Sequence, residues 1–318
     1  MTRSTGRGKT VAALGAAVAM LLTACGGSSG STGSSGGGSG ESTDALSGAS
    51  LTVGSKEFTE SDILKYITIA ALTNAGAQAK EVSLSGSATV REALLSKELD
   101  MYWDYTGTGW VNILGNTTTD VPSDLYQAVS DADKANGVAW LKPAPLNDTY
   151  RIAVNSDFAS QNNLATMSDA AAYIQANPDQ GTLCAASEFI NRDDGLPGLE
   201  KAYGFKFSNV NELDLSLVYT QVGSGCNFGE VFSTDGRIIA NKLTALEDDK
   251  NFFVEYKAAL TMRQETLDKY PAIADIMAPI SEALTDKVIT ELNAKVDVDG
   301  ETAEDVANQW MQDMGFVG

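Results

Sequence analysis

The chain has 318 residues, with 42 acidic residues against 22 Lys and Arg, a net charge of −20 and no histidine. This acidic balance argues against a nucleic-acid partner, because such proteins need clustered positive charge. Without histidine the chain lacks the usual general base for Ser or Cys nucleophiles and the commonest zinc ligand, so we expect no enzyme, no cofactor and no metal site.

The first 24 residues predict a signal peptide. Three basic residues precede the apolar run 11–22, which is too short for a comfortable membrane span. The following Leu22-Thr23-Ala24-Cys25 resembles the lipobox of bacterial lipoproteins, in which the cysteine carries the lipid. We therefore expect an anchor at Cys25 on the extracytoplasmic face of the cell membrane, with a plain secreted protein as the alternative. Residues 25–49, rich in Gly and Ser, predict a flexible linker.

Two cysteines remain if Cys25 is lipidated. Cys184 and Cys226 would then lie in an oxidising compartment, where two leftover cysteines point to one disulfide. Two buried thiols are the alternative that the sequence leaves open.

From Leu51 onward, short apolar runs alternate with segments of helical periodicity, which predicts an α/β architecture with mainly parallel sheets. The predicted strands are LTVGS (51–55), AKEVSLS (79–85), LDMYW (99–103), TYRIAV (149–154), TLCAAS (182–187) and FKFSNV (205–210). The predicted helices are 61–76, 89–98, 168–178 with Ser168 as N-cap, 196–204, 214–223, 263–270, 275–284 and 303–315. After about Leu246 the pattern is mostly helical.

Two α/β blocks followed by a C-terminal return predict a bilobed protein whose chain crosses between the lobes twice. We place lobe 1 at residues 50–147 plus 252–318 and lobe 2 at residues 148–251. The chain is long enough for two lobes of ordinary domain size.

Several stretches together resemble the osmoprotectant (glycine betaine, choline, carnitine) substrate-binding proteins of ABC importers. The matching stretches are GSKEFTE (54–60), REALLSKELDMYWDYTGT (91–108), NDTYRIAV (147–154), FINRDDGLPGLEKAYGFKF (189–207), FSTDGRI (232–238) and LEDDKNFFVEYKAA (246–259). The resemblance implies a bilobed type II periplasmic-binding-protein fold with two α/β lobes and a two-crossing hinge. It also implies a monomer that holds a quaternary-ammonium ligand in the cleft and delivers it to ABC permease subunits.

A trimethylammonium group has no N–H to donate, so a protein recognises it by surrounding its polarised methyl groups with aromatic faces. A carboxylate at the other end of the ligand needs fixed cationic donors. The resemblance places an aromatic cage and two cations on particular residues. The cage positions are Tyr105, Tyr150, Phe232 and Tyr256, and the carboxylate-binding positions are Lys56 and Arg192. Thr108 matches a position that tunes choline against betaine, and its hydroxyl favours zwitterionic betaines.

The ten residues MYWDYTGTGW (101–110) combine four aromatic rings with two glycines. We expect Tyr105 to be an exposed ring at a strand end, with Gly107 and Gly109 letting the backbone approach the cleft. Met101, Trp103 and Trp110 in this stretch are expected to serve packing, and Tyr219 is expected to lie in the core.

Other interpretations stay open. Lys56 could be a surface lysine, and Arg192 could form a solvated ion pair with Asp193 or Asp194. The same fold could bind another trimethylammonium ligand such as ergothioneine. A hydrolase of another class would need two facing carboxylates, for example in a glycosidase.

Overall fold

The computed structural model describes residues 44–318. The predicted signal peptide, the predicted lipidation site Cys25 and most of the linker lie outside the described residues and stay predictions. Between residues 44 and 318, no helix combines the length and the apolar character needed to cross a membrane.

The described chain contains two five-stranded β-sheets. The first sheet consists of β1 (Ser50–Lys56), β2 (Gln78–Leu84), β3 (Met101–Tyr105), β4 (Val138–Trp140) and β10 (Ala258–Arg263). The second consists of β5 (Tyr150–Asn155), β6 (Thr182–Ala185), β7 (Asn209–Glu212), β8 (Phe228–Phe232) and β9 (Leu243–Ala245). Because β10 joins the first sheet after the second is complete, the chain crosses between the lobes twice. The predicted bilobed α/β fold is confirmed.

The sheets are mixed rather than mainly parallel, so that prediction is wrong. In the first sheet β1 is parallel to β2 and β3, while β10 is antiparallel to β3 and β4. In the second sheet β6 is parallel to β7 and β8, while β5 is antiparallel to β8 and β9. The strands that arrive from the other lobe, β5 and β10, start at the edge where β8 and β3 end. This edge of each sheet therefore collects the ends of several strands.

Helices cover these sheets. Those within residues 44–318 are α1 (Thr59–Asn74), α2 (Ser87–Leu95), α3 (Leu125–Asp133), α4 (Ser156–Asn162), α5 (Met167–Ala176), α6 (Ser187–Asn191), α7 (Leu196–Tyr203), α8 (Leu215–Gln221), α9 (Arg237–Ala240), α10 (Gln264–Lys269), α11 (Ala272–Ala283), α12 (Asp286–Asp297) and α13 (Ala303–Asp313). The C-terminal helices α11, α12 and α13 pack on α1, so the end of the chain completes the first lobe.

Several strand predictions differ from the structure, in which β4, β8 and β9 have no counterpart among the predicted strands. Residues 258–263, in the stretch expected to be mostly helical, form β10, a central strand that is buried along nearly its whole length. A strand covered on both faces has no alternation of apolar and polar residues, so it cannot be told from a buried helix by periodicity. The predicted strand 205–210 is shorter and begins only at Asn209, because Phe205 and Phe207 pack in the core from an irregular segment.

The N-cap of α5 is Thr166 and not Ser168. The Thr166 side chain accepts a hydrogen bond from Asp169 N, and the Asp169 carboxylate accepts one from Thr166 N in return. This reciprocal pair is a capping box. Ser168 lies inside the helix and donates from Oγ to Asp249.

The two crossing segments lie side by side between the sheets. Asn147 Oδ1 accepts a hydrogen bond from Tyr256 N at 2.6 Å, and Asp148 N donates to Tyr256 O at 3.2 Å. Thr106 N also donates to Lys257 O at 3.0 Å. The hinge is thus a pair of hydrogen-bonded segments, joined by an isolated β-bridge between Asn147 and Lys257, directly beside the end of β3.

A disulfide joins Cys184 in β6 to Cys226 just before β8, with the Cα atoms 5.7 Å apart and a sequence separation of 42. Closing a loop of this size restricts the unfolded chain. We expect the Cys184→Ser/Cys226→Ser double variant to lose about 2–4 kcal/mol of unfolding free energy, measured by urea denaturation. Adding a reducing agent should lower the urea midpoint of the wild-type protein and leave that of the double variant unchanged. A shift in both would mean that the disulfide is not the source of the lost stability.

Candidate functional site

A cavity of about 1100 Å³ lies where the strand ends of the two sheets face each other. The structure brings all seven residues predicted as ligand contacts into its wall. They are Lys56, Tyr105, Thr108, Tyr150, Arg192, Phe232 and Tyr256. Lys56 and Tyr105 end strands of the first sheet, whereas Tyr150 and Phe232 belong to strands of the second.

Five aromatic rings form a continuous cluster along this cleft. The ring centroid of Tyr150 lies 5.0 Å from that of Phe232 and 5.7 Å from that of Tyr256. Phe58, which was not in the predicted set, lies 5.3 Å from Phe232 and 6.1 Å from Tyr105. Such spacings are usual for packed aromatic pairs. The rings therefore form one wall to which both lobes contribute.

Strand register explains why these rings meet. Tyr150 begins β5 and pairs with Phe232, the last residue of β8. Tyr105 ends β3 opposite the first residue of β10, so Tyr256 lies at the same edge, two residues earlier. Phe232 N donates to the hydroxyl of Tyr219 at 3.0 Å. Tyr219 is fully buried, which confirms its expected place in the core.

Gly107 brings the backbone against a ring of the cleft. A Cβ atom at this position would lie 2.5 Å from the Tyr256 ring, closer than packed atoms approach. Gly109 has a different surrounding, because a Cβ there would meet Val129 and Trp140 in the interior of the first lobe. Of the two glycines expected to approach the cleft, only Gly107 does so.

Tyr105 is not an exposed ring, and that expectation is wrong. Only 4% of the residue is exposed, because Phe58 packs on its ring and its hydroxyl donates to Glu60 Oε1 at 2.7 Å. Glu60 Oε2 accepts a hydrogen bond from Thr234 Oγ1, also at 2.7 Å. Since Glu60 belongs to α1 and Thr234 follows β8, this carboxylate links a cleft ring of the first lobe to the second lobe.

Arg192 is 5% exposed and binds two carboxylates. Its Nε and Nη2 donate to Asp194 at 2.8 and 2.6 Å, and Nη1 donates to Glu188 at 2.6 Å. Nη2 also lies 3.3 Å from Thr108 Oγ1. Arg192 does pair with Asp194, as one alternative expected, but the pair is buried and not solvated. Asp194 accepts a further hydrogen bond from the Tyr256 hydroxyl at 2.6 Å, which ties the arginine to the ring cluster.

Lys56 is buried, which contradicts the alternative of a surface lysine. Its Nζ donates to Asp104 Oδ1 at 2.8 Å and lies 5.3 Å from the centroid of the Tyr105 ring. The Ser61 hydroxyl accepts a hydrogen bond from Lys56 N at 2.9 Å, which fixes the backbone where β1 ends. Both cleft cations are therefore held in place by acids of the protein.

Glu188 bridges the two lobes. It lies in α6 of the second lobe, and its carboxylate accepts hydrogen bonds from Ser87 Oγ at 2.6 Å and Ser87 N at 3.1 Å. Ser87 begins α2 of the first lobe. Burial raises the pKa of Glu188. The charges of Lys56 and Arg192, together with these hydrogen bonds, outweigh burial and lower the pKa to about 2. Glu188 is therefore ionised at neutral pH.

Two further acids behave in the opposite way. Burial raises the pKa of Glu60 to about 7, although its hydrogen bonds from Thr234, Tyr105 and Asn293 oppose this. Burial and the nearby Glu60 also raise the pKa of Asp148 well above its usual range. The seam between the lobes thus contains a carboxyl group, that of Glu60, which changes its protonation state near neutral pH.

Sequence reasoning missed Phe58, Glu60, Asp104 and Glu188. Phe58 and Glu60 lie in the GSKEFTE stretch that carried part of the resemblance, and Asp104 lies directly before Tyr105. Their proximity to motif residues was a usable signal. Glu188 directly precedes the stretch 189–207 and so had the same signal, whereas nothing in the sequence indicated its contact with Ser87, which is 101 residues away.

Comparison with known sequences places the chain among transport proteins. Residues 49–313 match the family described as the substrate binding domain of ABC-type glycine betaine transport system. The glycine-betaine-binding protein of Pseudomonas aeruginosa is 34% identical over 274 residues, which cover 83% of this chain and 88% of the relative. The glycine betaine-binding protein YehZ of Escherichia coli is 34% identical over 284 residues, or 85% of this chain and 92% of YehZ.

The fold also matches a solved relative. Apo YehZ from Escherichia coli aligns with a TM-score of 0.61 at 32% identity, covering 84% of this chain and 99% of that chain. The ergothioneine transport permease/ergothioneine binding protein EgtU of Helicobacter pylori is 33% identical over 232 residues. That match covers 73% of this chain but only 41% of EgtU, so it concerns one part of a longer protein.

Proposed function

The chain belongs to the family of substrate-binding domains of ABC-type glycine betaine transport systems, and we propose that its cleft captures a trimethylammonium osmoprotectant, first of all glycine betaine. Choline and carnitine are the related ligands. In this proposal Tyr105, Tyr150, Phe232 and Tyr256 surround the quaternary nitrogen.

The observation that carries the proposal is the ring cluster shared by both lobes. A quaternary ammonium offers no hydrogen-bond donor, and aromatic faces are the surfaces that select it. Each ring contributes about 0.5–2 kcal/mol, with the upper end reached when water is excluded. Several rings in a closed cleft therefore provide a large part of a micromolar affinity, which corresponds to about −8 kcal/mol.

The cations can serve the other end of the ligand although both are already paired. Arg192 has five N–H donors, and its contacts to Asp194, Glu188 and Thr108 leave one on Nη1 uncommitted within the described residues. Lys56 has two more beyond its bond to Asp104. A ligand carboxylate would share these donors. The Thr108 side chain is a neutral hydroxyl and not an acid, so it does not repel the ligand carboxylate.

Capture follows from the division of the site between lobes. A ligand that contacts rings and cations of both lobes binds the closed state more tightly than the open state. Binding therefore shifts the population toward the closed state. The Glu188–Ser87 contact would help to hold this state. The closed protein would then present its surface to the ABC permease subunits.

The state, the location and the domain bounds of the protein complete the proposal. The protein acts as a monomer, without catalysis, on the extracytoplasmic face of the cell membrane. Residues 1–24 are removed as a signal peptide and Cys25 carries the lipid. The lobes span residues 50–147 plus 252–318 and residues 148–251.

Glycine betaine tested beside glycine is a direct probe, because the two differ only in the three methyl groups. At a ligand concentration of 100 times Kd, glycine betaine is expected to raise the free energy of unfolding by about 2.7 kcal/mol. Glycine should have no effect. Denaturant unfolding with and without each ligand measures this. No stabilisation by glycine betaine, choline or carnitine would refute the proposal, and consumption of any of them would reveal an enzyme.

Ergothioneine, itself a trimethylated amino acid, is a second candidate because the cavity is large. The cavity volume of about 1100 Å³ lies slightly above the usual range of pockets for drug-sized ligands, whereas glycine betaine is much smaller. The similarity to the ergothioneine binding protein EgtU points in the same direction.

A further inference from the structure

Glu230 is a buried acid in the wall of the cleft with one unused acceptor. It lies in the middle of β8, is 1% exposed and lines the cavity. Its Oε2 accepts a hydrogen bond from Ala186 N at 2.7 Å, and its Oε1 has no hydrogen-bond partner within residues 44–318. Oε1 is not among the fully buried side-chain polar atoms that lack a partner in this part of the chain, so it retains access to the cavity. It can therefore accept a hydrogen bond from a ligand.

The position of Glu230 relates it to the ring cluster. It precedes Phe232 by two residues on the same strand, and alternate residues of a strand share a face. Glu188 and Arg192 also line this part of the cavity. A ligand whose quaternary nitrogen contacts Phe232 could therefore extend another group toward Glu230.

Glycine betaine cannot use this acceptor. It has no N–H and no O–H group, and its size leaves much of the cavity unfilled. A larger trimethylated amino acid keeps the same quaternary nitrogen and carboxylate and adds a side chain. If that side chain carries a donor, it can both fill the remaining volume and satisfy Glu230 Oε1.

We infer that Glu230 is a specificity-determining residue whose carboxylate accepts a hydrogen bond from an N–H or O–H group on the side chain of an N-trimethylated amino acid. This inference rests on the proposed function, since it assumes that the quaternary nitrogen occupies the aromatic cage. It assigns the ligand class by the chemistry of one further contact.

The surroundings of Glu230 give the contact a pH signature. Burial raises the pKa of Glu230 to about 8; the Ala186 N–H lowers it, Glu188 raises it and Arg192 lowers it. The Tyr150 hydroxyl group, from the neighbouring strand β5, is the other titratable group that interacts with it. A ligand donor binds the ionised form more strongly, so binding releases a proton at neutral pH. Affinity for such a ligand should therefore rise with pH.

Titration calorimetry with three ligands tests the inference. Ergothioneine carries ring N–H donors, phenylalanine betaine carries a ring without donors, and glycine betaine carries no side chain. For the wild-type protein, ergothioneine affinity is expected to rise at least fivefold from pH 6.5 to about 8.5. The ratio of ergothioneine affinity to glycine betaine affinity should rise over the same interval. Glu230→Gln keeps an oxygen acceptor without titrating, so this rise should fall below about twofold.

Glu230→Ala removes the acceptor and should weaken ergothioneine binding about tenfold or more at the higher pH. Its affinities for glycine betaine and phenylalanine betaine should stay within about threefold of wild type. Glu212→Gln is the matched control, because Glu212 is an exposed acid of the same cavity wall. It should leave all three affinities unchanged. Thermal unfolding checks that each variant is folded.

The outcomes separate this inference from the proposed function. Binding of glycine betaine without ergothioneine would overturn the inference and leave the proposed function standing. Binding of no trimethylammonium ligand would refute both. An equal loss for all three ligands in Glu230→Ala would mean a merely structural role. Ergothioneine affinity that falls with pH would mean that a protonated Glu230 donates, and would also overturn the inference.

Discussion

Replacing Tyr150 with alanine is expected to weaken glycine betaine binding at least tenfold, measured by titration calorimetry. Tyr150 is the centre of the ring cluster and packs on Phe232, Tyr256, Phe189 and Phe253. Alanine removes one aromatic face, which contributes about 0.5–2 kcal/mol in a desolvated cage. It also removes the packing that orients the neighbouring rings, so the total loss should exceed that of one face.

Two other substitutions at Tyr150 separate the π face from the packing. Phenylalanine keeps the ring and should bind within about threefold of wild type. Leucine keeps an apolar side chain of moderate size without a π face, and it should bind nearly as weakly as alanine. If leucine binds as well as phenylalanine, the site recognises apolar volume and the cage is the wrong description. Unchanged binding in Tyr150→Ala would remove Tyr150 from the site altogether.

The seven candidate site residues were predicted from the resemblance to a known family, and six of them lie at or within three residues of a strand end, whereas Arg192 follows α6. Tyr105 ends β3 and Tyr150 begins β5, and both strands were recognisable from apolar runs bounded by polar residues. Once the two-lobed fold is assumed, such ends must meet at the cleft. The direction of the strands was not predictable in the same way. β10 is buried on both faces, and its apolar sequence carries no period that distinguishes a strand from a helix.

The contacts that hold the site could not be predicted, because they are long-range and polar. Glu60 meets Thr234 across 174 positions of sequence, and Glu188 meets Ser87 across 101. Nothing in the local sequence of Glu60 tells that it is buried, since an acid in the first turn of a helix is ordinary at an exposed N-terminus. Glu60 is unusual only because the packing of the two lobes buries it.

These polar contacts give the seam between the lobes a pH dependence. Asp297 at the end of α12 also lies 3.5 Å from Arg237 of the second lobe, so a further acid contacts the opposite lobe at this boundary. Ionised Glu188 joins the lobes at one side of the cleft. Glu60, whose pKa is raised to about 7, joins them behind Tyr105. Ionising Glu60 leaves a buried negative charge near Asp148 and Asp235, which is unfavourable.

The free energy of unfolding should therefore fall as the pH rises from 5.5 to 8.5. Burial raises the pKa of Glu60 from 4.5 to about 7, and a group raised in the folded state stabilises fully below its unfolded pKa and loses this effect as pH passes the folded value. Over this interval Glu60 alone should account for about 2 kcal/mol. Glu230, with its pKa raised to about 8, adds a loss of the same sign. Glu188, whose pKa is lowered to about 2, stays ionised throughout the interval.

Denaturant unfolding at several pH values measures this, and Glu60→Gln is the decisive variant. Glutamine can keep hydrogen bonds to Tyr105 and Thr234 but cannot ionise, so the loss between pH 5.5 and 8.5 should shrink by about 2 kcal/mol. Glu282→Gln, at an exposed acid of α11, should retain the wild-type loss. If Glu60→Gln and wild type lose stability in parallel, the carboxyl group behind Tyr105 is ionised at neutral pH. The lobes would then be joined there by a charged contact.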